Sequence, residues 1–218
     1  MDTERLIRTL AQDVESVAPL APPARRAALW TCAAGMYAAL LIVVVPPRVD
    51  PALRLQDFRF LLEQGAAVLT GLTAAFAALA SSVPGYRREV VWLPVASAAI
   101  WIVVVGAGAA QEASIAWAAL PTDWRCVPAT LVGAAVPGVC LGLLLRRGVP
   151  LTPGLTAALG GLAAAGIGNI GLCFFHPHNS RVAILVWHLG TVLLVSAGAG
   201  VAGRKLLRWP RLPVLLSP

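Results

Sequence analysis

Six separate runs of mostly apolar residues, 27–45, 60–82, 91–110, 126–145, 155–175 and 181–203, constrain this chain more than any other feature. An α-helix rises 1.5 Å per residue, so about 20 residues cross the ~30 Å hydrocarbon core of a bilayer. Charged residues make up 12% of the 218, about half the ~25% usual in a soluble domain. The mean hydropathy is +0.78. The expected fold is therefore all-α: a polytopic membrane helix bundle with six transmembrane helices. Punctuation marks the ends of the runs: Pro46-Pro47, Pro84-Gly85, Arg146-Arg147-Gly148 and His176-Pro177. Residues 111–125 mix Glu112, Asp123 and Arg125 with Trp117 and Trp124, and read as a loop along the interface, where tryptophan is at home. Continuing the third helix through Gln111-Glu112 would carry a charge into lipid.

Residues 1–20 contain Asp2, Glu4, Asp13 and Glu15 and lack a basic segment followed by an apolar one. No cleavable signal peptide is expected; the first span itself directs insertion. The formal net charge of +7 would suit nucleic acid or anionic lipid, and its distribution separates the two. Arg25-Arg26, Arg87-Arg88 and Arg146-Arg147 sit at alternate span ends, and Arg204, Lys205, Arg208 and Arg211 follow the last span. The intervening ends carry Arg48, Arg54, Arg59, Arg125 and Arg181, two of them close to Asp50 and Asp57. Basic residues mark cytoplasmic loops, so both termini are expected in the cytoplasm, consistent with an even number of spans. The basic charge reads as topology, with no direct nucleic-acid contact. Localisation follows as a multi-pass protein of a bacterial inner membrane.

The chain divides into a cytoplasmic arm and proline-rich linker at 1–24, a transmembrane domain at 25–203 and a basic cytoplasmic tail at 204–218. In the arm, Leu6, Ile7, Leu10, Val14 and Val17 recur at helical spacing and form one apolar stripe. Asp2 or Thr3 can cap this short amphipathic helix. Pro19, Pro22 and Pro23 separate it from the membrane. Such a helix can lie on the bilayer, fold back on the bundle or dock in a groove of another protein. Its polar face mixes Arg5 and Arg8 with Asp13 and Glu15, unlike the cationic face of an interfacial helix.

Within the bundle, Gly160, Ala164 and Gly168 share one face of the fifth run, and Gly161 and Ala165 the next. Small residues four apart let helix backbones approach closely in lipid. Cys32 and Cys140 lie inside apolar runs and read as packing residues. Cys126 and Cys173 fall at the opposite, periplasmic ends of their runs. The periplasm is oxidising, so this pair could form a disulfide or hold a soft metal ion. Cys173-x-x-His176-x-His178 adds candidate metal ligands, although His176-Pro177-His178-Asn179-Ser180 also suits a plain polar turn between helices. Any divalent or soft metal would bind transiently as a signal; no resident cofactor is expected. His188, inside the sixth run, reads as a structural hydrogen-bonder.

No run carries a charge near its middle, and Glu63 sits close to an end. Transporters and proton pumps rely on such charges or on broken helices, which weakens the alternative of a small metal or solute transporter. Zincin, nucleophile-elbow and phosphate-loop motifs are absent, and no enzyme is expected.

The opening Asp-Thr-Glu-Arg-Leu-Ile-Arg-Thr-Leu-Ala, the Pro-Leu-Ala-Pro-Pro linker with Arg25-Arg26, and the six spans resemble the NrsF-like integral-membrane anti-sigma factors. So do Asp123-Trp124-Arg125-Cys126, Cys173, Val186-Trp187-His188 and Leu206-Leu207-Arg208-Trp209. The resemblance covers nearly the whole chain through short motifs in shared order. It implies a protein that holds an extracytoplasmic-function sigma factor at the inner membrane, away from RNA polymerase. It further implies release of that partner when a periplasmic cysteine pair, here Cys126 and Cys173, responds to metal or oxidative stress.

Overall fold

A computed structural model of the chain describes residues 3–12, 19–45, 51–116, 126–172, 182 and 184–207. Every regular element among them is helical. A short α1 (Thr3–Gln12) precedes α2 (Pro23–Val44). The single turn α3 (Pro51–Arg54), unforeseen in the sequence, leads into α4 (Phe58–Ser81). A 3-10 turn at Arg88–Val91 opens α5 (Trp92–Ala116), and α6 (Cys126–Arg146) and α7 (Pro153–Leu172) follow. A π-helical turn, Ile184–Leu189, feeds α8 (Gly190–Leu206).

Among the described residues, five stretches are long and apolar enough to cross a membrane: Pro23–Val44, Phe58–Ser81, Arg88–Ala110, Val127–Arg146 and Leu185–Leu206. The remaining long helix, α7, corresponds to the fifth apolar run and differs from these five in being wrapped by its neighbours. Ala163, Ala164 and Ala165 are buried in its middle.

Small side chains explain why α7 takes the centre. Its Gly160–Ala164–Gly168 face meets α6. A methyl group on Gly168 would stand 2.6 Å from the Ala134 nitrogen, and one on Gly133 would stand 2.7 Å from the Gly168 oxygen. Both positions must be glycine for these backbones to touch. The Gly161 face meets Ser196 and Ala199 of α8, and the Gly166–Ile167 face meets Gly71 of α4. Three faces of small residues thus seat three helices, as close packing without a hydrophobic driving force requires. Hydroxyls supplement it. Ser81 and Thr156 lie 2.9 Å apart between α4 and α7, Thr73 and Ser97 2.9 Å apart between α4 and α5, and Ser196 donates to the Ala158 carbonyl at 2.8 Å.

Helix α2 packs differently. Leu29, Met36, Leu40, Val43 and Val44 are all exposed on its outward side. On the inward side Arg26 donates to the Leu144 carbonyl, Trp30 Nε1 to the Pro137 carbonyl at 2.9 Å, and Tyr37 to the Val132 carbonyl at 3.0 Å. Ascending numbers on α2 meet descending numbers on α6, so the two helices run antiparallel. Pro137 lies inside α6, which continues through it.

Three expectations need correction. Helix α5 runs on to Ala116, so Gln111-Glu112 is helical rather than loop. From Trp92 to Ala110 the helix already rises about 28 Å. Residues 111–116 therefore lie at the end of a membrane-length rod, where polarity costs little, and Ala and Gln are good helix formers. Arg25 and Arg26 do not precede the first long helix but occupy its first turn. That helix begins at Pro23, whose missing N–H costs nothing there. Cys32 is exposed on the outer face of α2 rather than packed, whereas Cys140 is partly buried against the core.

Candidate functional site

The fold gathers most of the bundle's described basic residues at one end, Arg54 and Arg59 lying at the other. Arg26 of α2 is buried and donates to Ser82 Oγ at 3.2 Å as well as to the Leu144 carbonyl. The chain after α6 returns to the same place, Val149 N–H donating to the Ser82 carbonyl at 2.8 Å. Arg146 Nε donates to the carbonyl of Leu206, at the C-terminal end of α8, at 3.0 Å. Four chain segments therefore meet at a hub around Ser82 and Leu144. Arg25, Arg87, Arg88, Arg147, Arg204 and Lys205 surround it, all exposed. Cations suit the C-terminal ends of α6 and α8, where carbonyls are left unpaired. Glu89 offsets part of the charge through Arg87, 2.6 Å away. The result is a strongly basic face.

The described side chains of the arm α1 are not buried. Leu6 and Ile7 are exposed, as are the other described side chains of α1. Leu10 is helical, while its side chain lies outside the described part; Val14 and Val17 lie outside the described residues.

At the opposite end, Cys126 is the first residue of α6, and Leu172 is the last described residue of α7. Counting from the Gly133–Gly168 crossing, Cys126 lies seven residues further, about 10 Å, and Leu172 four residues further, about 6 Å. These two helices, whose backbones touch at that crossing, thus reach the same rim. Cys173, His176 and His178 lie outside the described residues, as does the side chain of Cys126. Among the described residues no three His, Cys, Asp or Glu side chains converge on a metal position.

A set of buried polar groups lies just inside that rim. Thr130 on α6, Asn169 on α7 and His188 in the π-helical turn are all buried. Thr130 and Asn169 lie within about a turn of the Gly133–Gly168 crossing, and His188 is four residues from Val192, which packs with Ala134 and Ala165. Glu63 is buried on α4 towards the same end. Reading the sequence by its charges passed over Thr130 and Asn169. The available signal was an asparagine in an apolar run, which is rare because an amide in lipid needs a partner.

A family model described as "Negative regulator of sigma F" matches residues 10–209. The "Anti-sigma-F factor NrsF" of Caulobacter vibrioides (strain NA1000 / CB15N) is 31% identical over 216 residues, covering 96% of this chain and 100% of the relative. No solved structure matches the chain.

Proposed function

The chain belongs to the NrsF family of negative regulators of sigma F, and from that premise we propose that it is a membrane anti-sigma factor. The match over almost the whole length of a relative named as an anti-sigma factor carries this reading. In it the bundle crosses a bacterial inner membrane six times, α7 being the fifth span along the chain and the central one. Both termini lie in the cytoplasm, because the hub bearing Arg25, Arg147 and Arg204 is the positive side. The partner is an extracytoplasmic-function sigma factor, bound by the apolar stripe of the arm through Leu6, Ile7, Leu10, Val14 and Val17 together with the basic face. Amphipathic helices commonly dock in this way. The exposure of Leu6 and Ile7 supports it.

The stimulus enters at the other rim, where Cys126 and Cys173 respond as a pair to a soft metal or an oxidant, with His176 and His178 as candidate ligands. Helix α6 is the physical route. It begins at Cys126, and its far end carries the Leu144 carbonyl and Arg146, both bonded into the hub. A shift of α6 against α7 changes the hub because packed helices move between discrete arrangements rather than deforming continuously. Taking the partner from nearly fully bound to nearly fully free needs about 5 kcal/mol of differential binding, the scale of a disulfide.

Affinity capture of the full chain from mild detergent tests the partner: a sigma factor should co-purify, and deletion of residues 1–18 should abolish that recovery while membrane insertion persists. Capture of a transport ATPase with no sigma factor would sink the reading. For the sensor, single Cys126→Ser and Cys173→Ser variants should each fail to derepress transcription under metal or oxidant stress. Parental induction in both would remove the pair from the mechanism.

A further inference from the structure

Helices α6 and α8 both seat on α7 but splay from one another, leaving an apolar groove of about 520 Å³ floored by small residues such as Gly138, Gly160 and Ala164. It extends from Leu131 to Arg146 along α6, about 22 Å at 1.5 Å per residue. No acidic residue lines it, and Arg146 stands at its end on the basic face. We infer that this groove is a binding site for an anionic glycerophospholipid, one acyl chain lying along α6 and the phosphate resting on Arg146, Arg204 and Lys205.

Charge complementarity selects this occupant over another helix. Polarity changes along the groove as it does along a lipid, from a wholly apolar channel to a guanidinium. The bond from Arg146 Nε to the Leu206 carbonyl holds that guanidinium beside the last turn of α8, where Arg204 and Lys205 are exposed. Basic sites between helices on the positive side of a membrane suit anionic head groups. The inference requires only that the bundle sit in a bilayer; it stands apart from the identity of the cytoplasmic partner.

Native mass spectrometry of the full chain, with dioleoyl phosphatidylglycerol or dioleoyl phosphatidylcholine added in mild detergent, reads the site. The chain should retain one phosphatidylglycerol with about tenfold preference, since each basic group near a head group contributes ~1 kcal/mol. Gly142→Leu fills the groove from a position where an added Cβ meets nothing within 4 Å; it should lower retention of both lipids about tenfold without changing the thermal midpoint. Arg146→Gln should erase the preference while leaving chain binding. Should Gly142→Leu fail to fold, Gly142→Met, whose flexible side chain can adapt to the groove, with Arg146→Gln reads the same two properties. Equal retention of the two lipids by the parent chain, or unchanged retention in the groove-filled variant, overturns the site. A dimer that disappears on filling the groove also overturns it, in favour of a helix from a second copy.

Discussion

Helices α7 and α2 are held in the same bundle by opposite means. Helix α7 is enclosed and nearly devoid of polar side chains; its Gly and Ala residues let three neighbours touch its backbone. Helix α2 is peripheral, with large apolar residues turned outward, and is fastened to α6 by Arg26, Trp30 and Tyr37, each donating to a main-chain carbonyl. The difference follows from the solvent. Between apolar helices in lipid there is no hydrophobic gain from association, so attraction comes from close van der Waals approach or from hydrogen bonds. Helix α7 uses the first and α2 the second. A contact of the first kind fails when volume is added, one of the second kind when a donor is removed.

The largest effect is expected at the α6–α7 crossing. Gly168→Leu places a side chain where even its first carbon lies 2.6 Å from the Ala134 nitrogen, and no rotamer relieves a clash with main chain. A loss of about 3 kcal/mol is expected, at the upper end of overpacking, read as a fall in thermal midpoint in detergent. A midpoint within error of the parent would mean that α6 and α7 separate freely at this rim. Rigid coupling from Cys126 to the hub would then fail with it.

These two modes were unequally legible in the sequence. The Gly160, Ala164, Gly168 and Gly161, Ala165 rows could be read directly, because small residues at spacing four define a helix face, and the structure assigns those faces to α6 and α8. The paired arginines likewise disclosed the common basic end. The rungs of α2 were hidden. Trp30 and Tyr37 look like ordinary interfacial aromatics until Pro137 and Val132 are brought opposite them, and those acceptors are carbonyls, which every residue has. Arg26 read as a topological charge; its burial depends on Ser82, 56 residues away. The continuation of α5 to Ala116 was missed for a related reason. Local polarity says where a helix leaves lipid, not where it stops.

Arg26 comes second in expected effect. Arg26→Met keeps much of the apolar stem but leaves Ser82 Oγ and the Leu144 carbonyl without their charged donor. Hydrogen bonds to a charged group contribute about 1.5–3 kcal/mol, and a loss within that range is expected from thermal unfolding. Arg25→Met, exposed beside it, should stay within ~0.5 kcal/mol. Equal losses in the two variants would show that charge at this end, rather than the hub geometry around Arg26, stabilises the fold.

The smallest effects decide how α2 is attached. Trp30→Phe removes a donor from a buried site, taking from the Pro137 carbonyl its bond to α2, and should cost about 1 kcal/mol. Tyr37→Phe removes only a hydroxyl from a site nearer the surface, and side-chain hydrogen bonds between membrane helices average about 0.6 kcal/mol. Neighbouring rungs on one rigid helix pair should not act independently. Once one is lost, the second holds an interface already loosened, so the double variant should differ from the sum by more than the ~0.3–0.5 kcal/mol scatter of independent sites. Strict additivity in that cycle would mean that α2 is held residue by residue. A movement of α6 would then reach α2 only at Arg26.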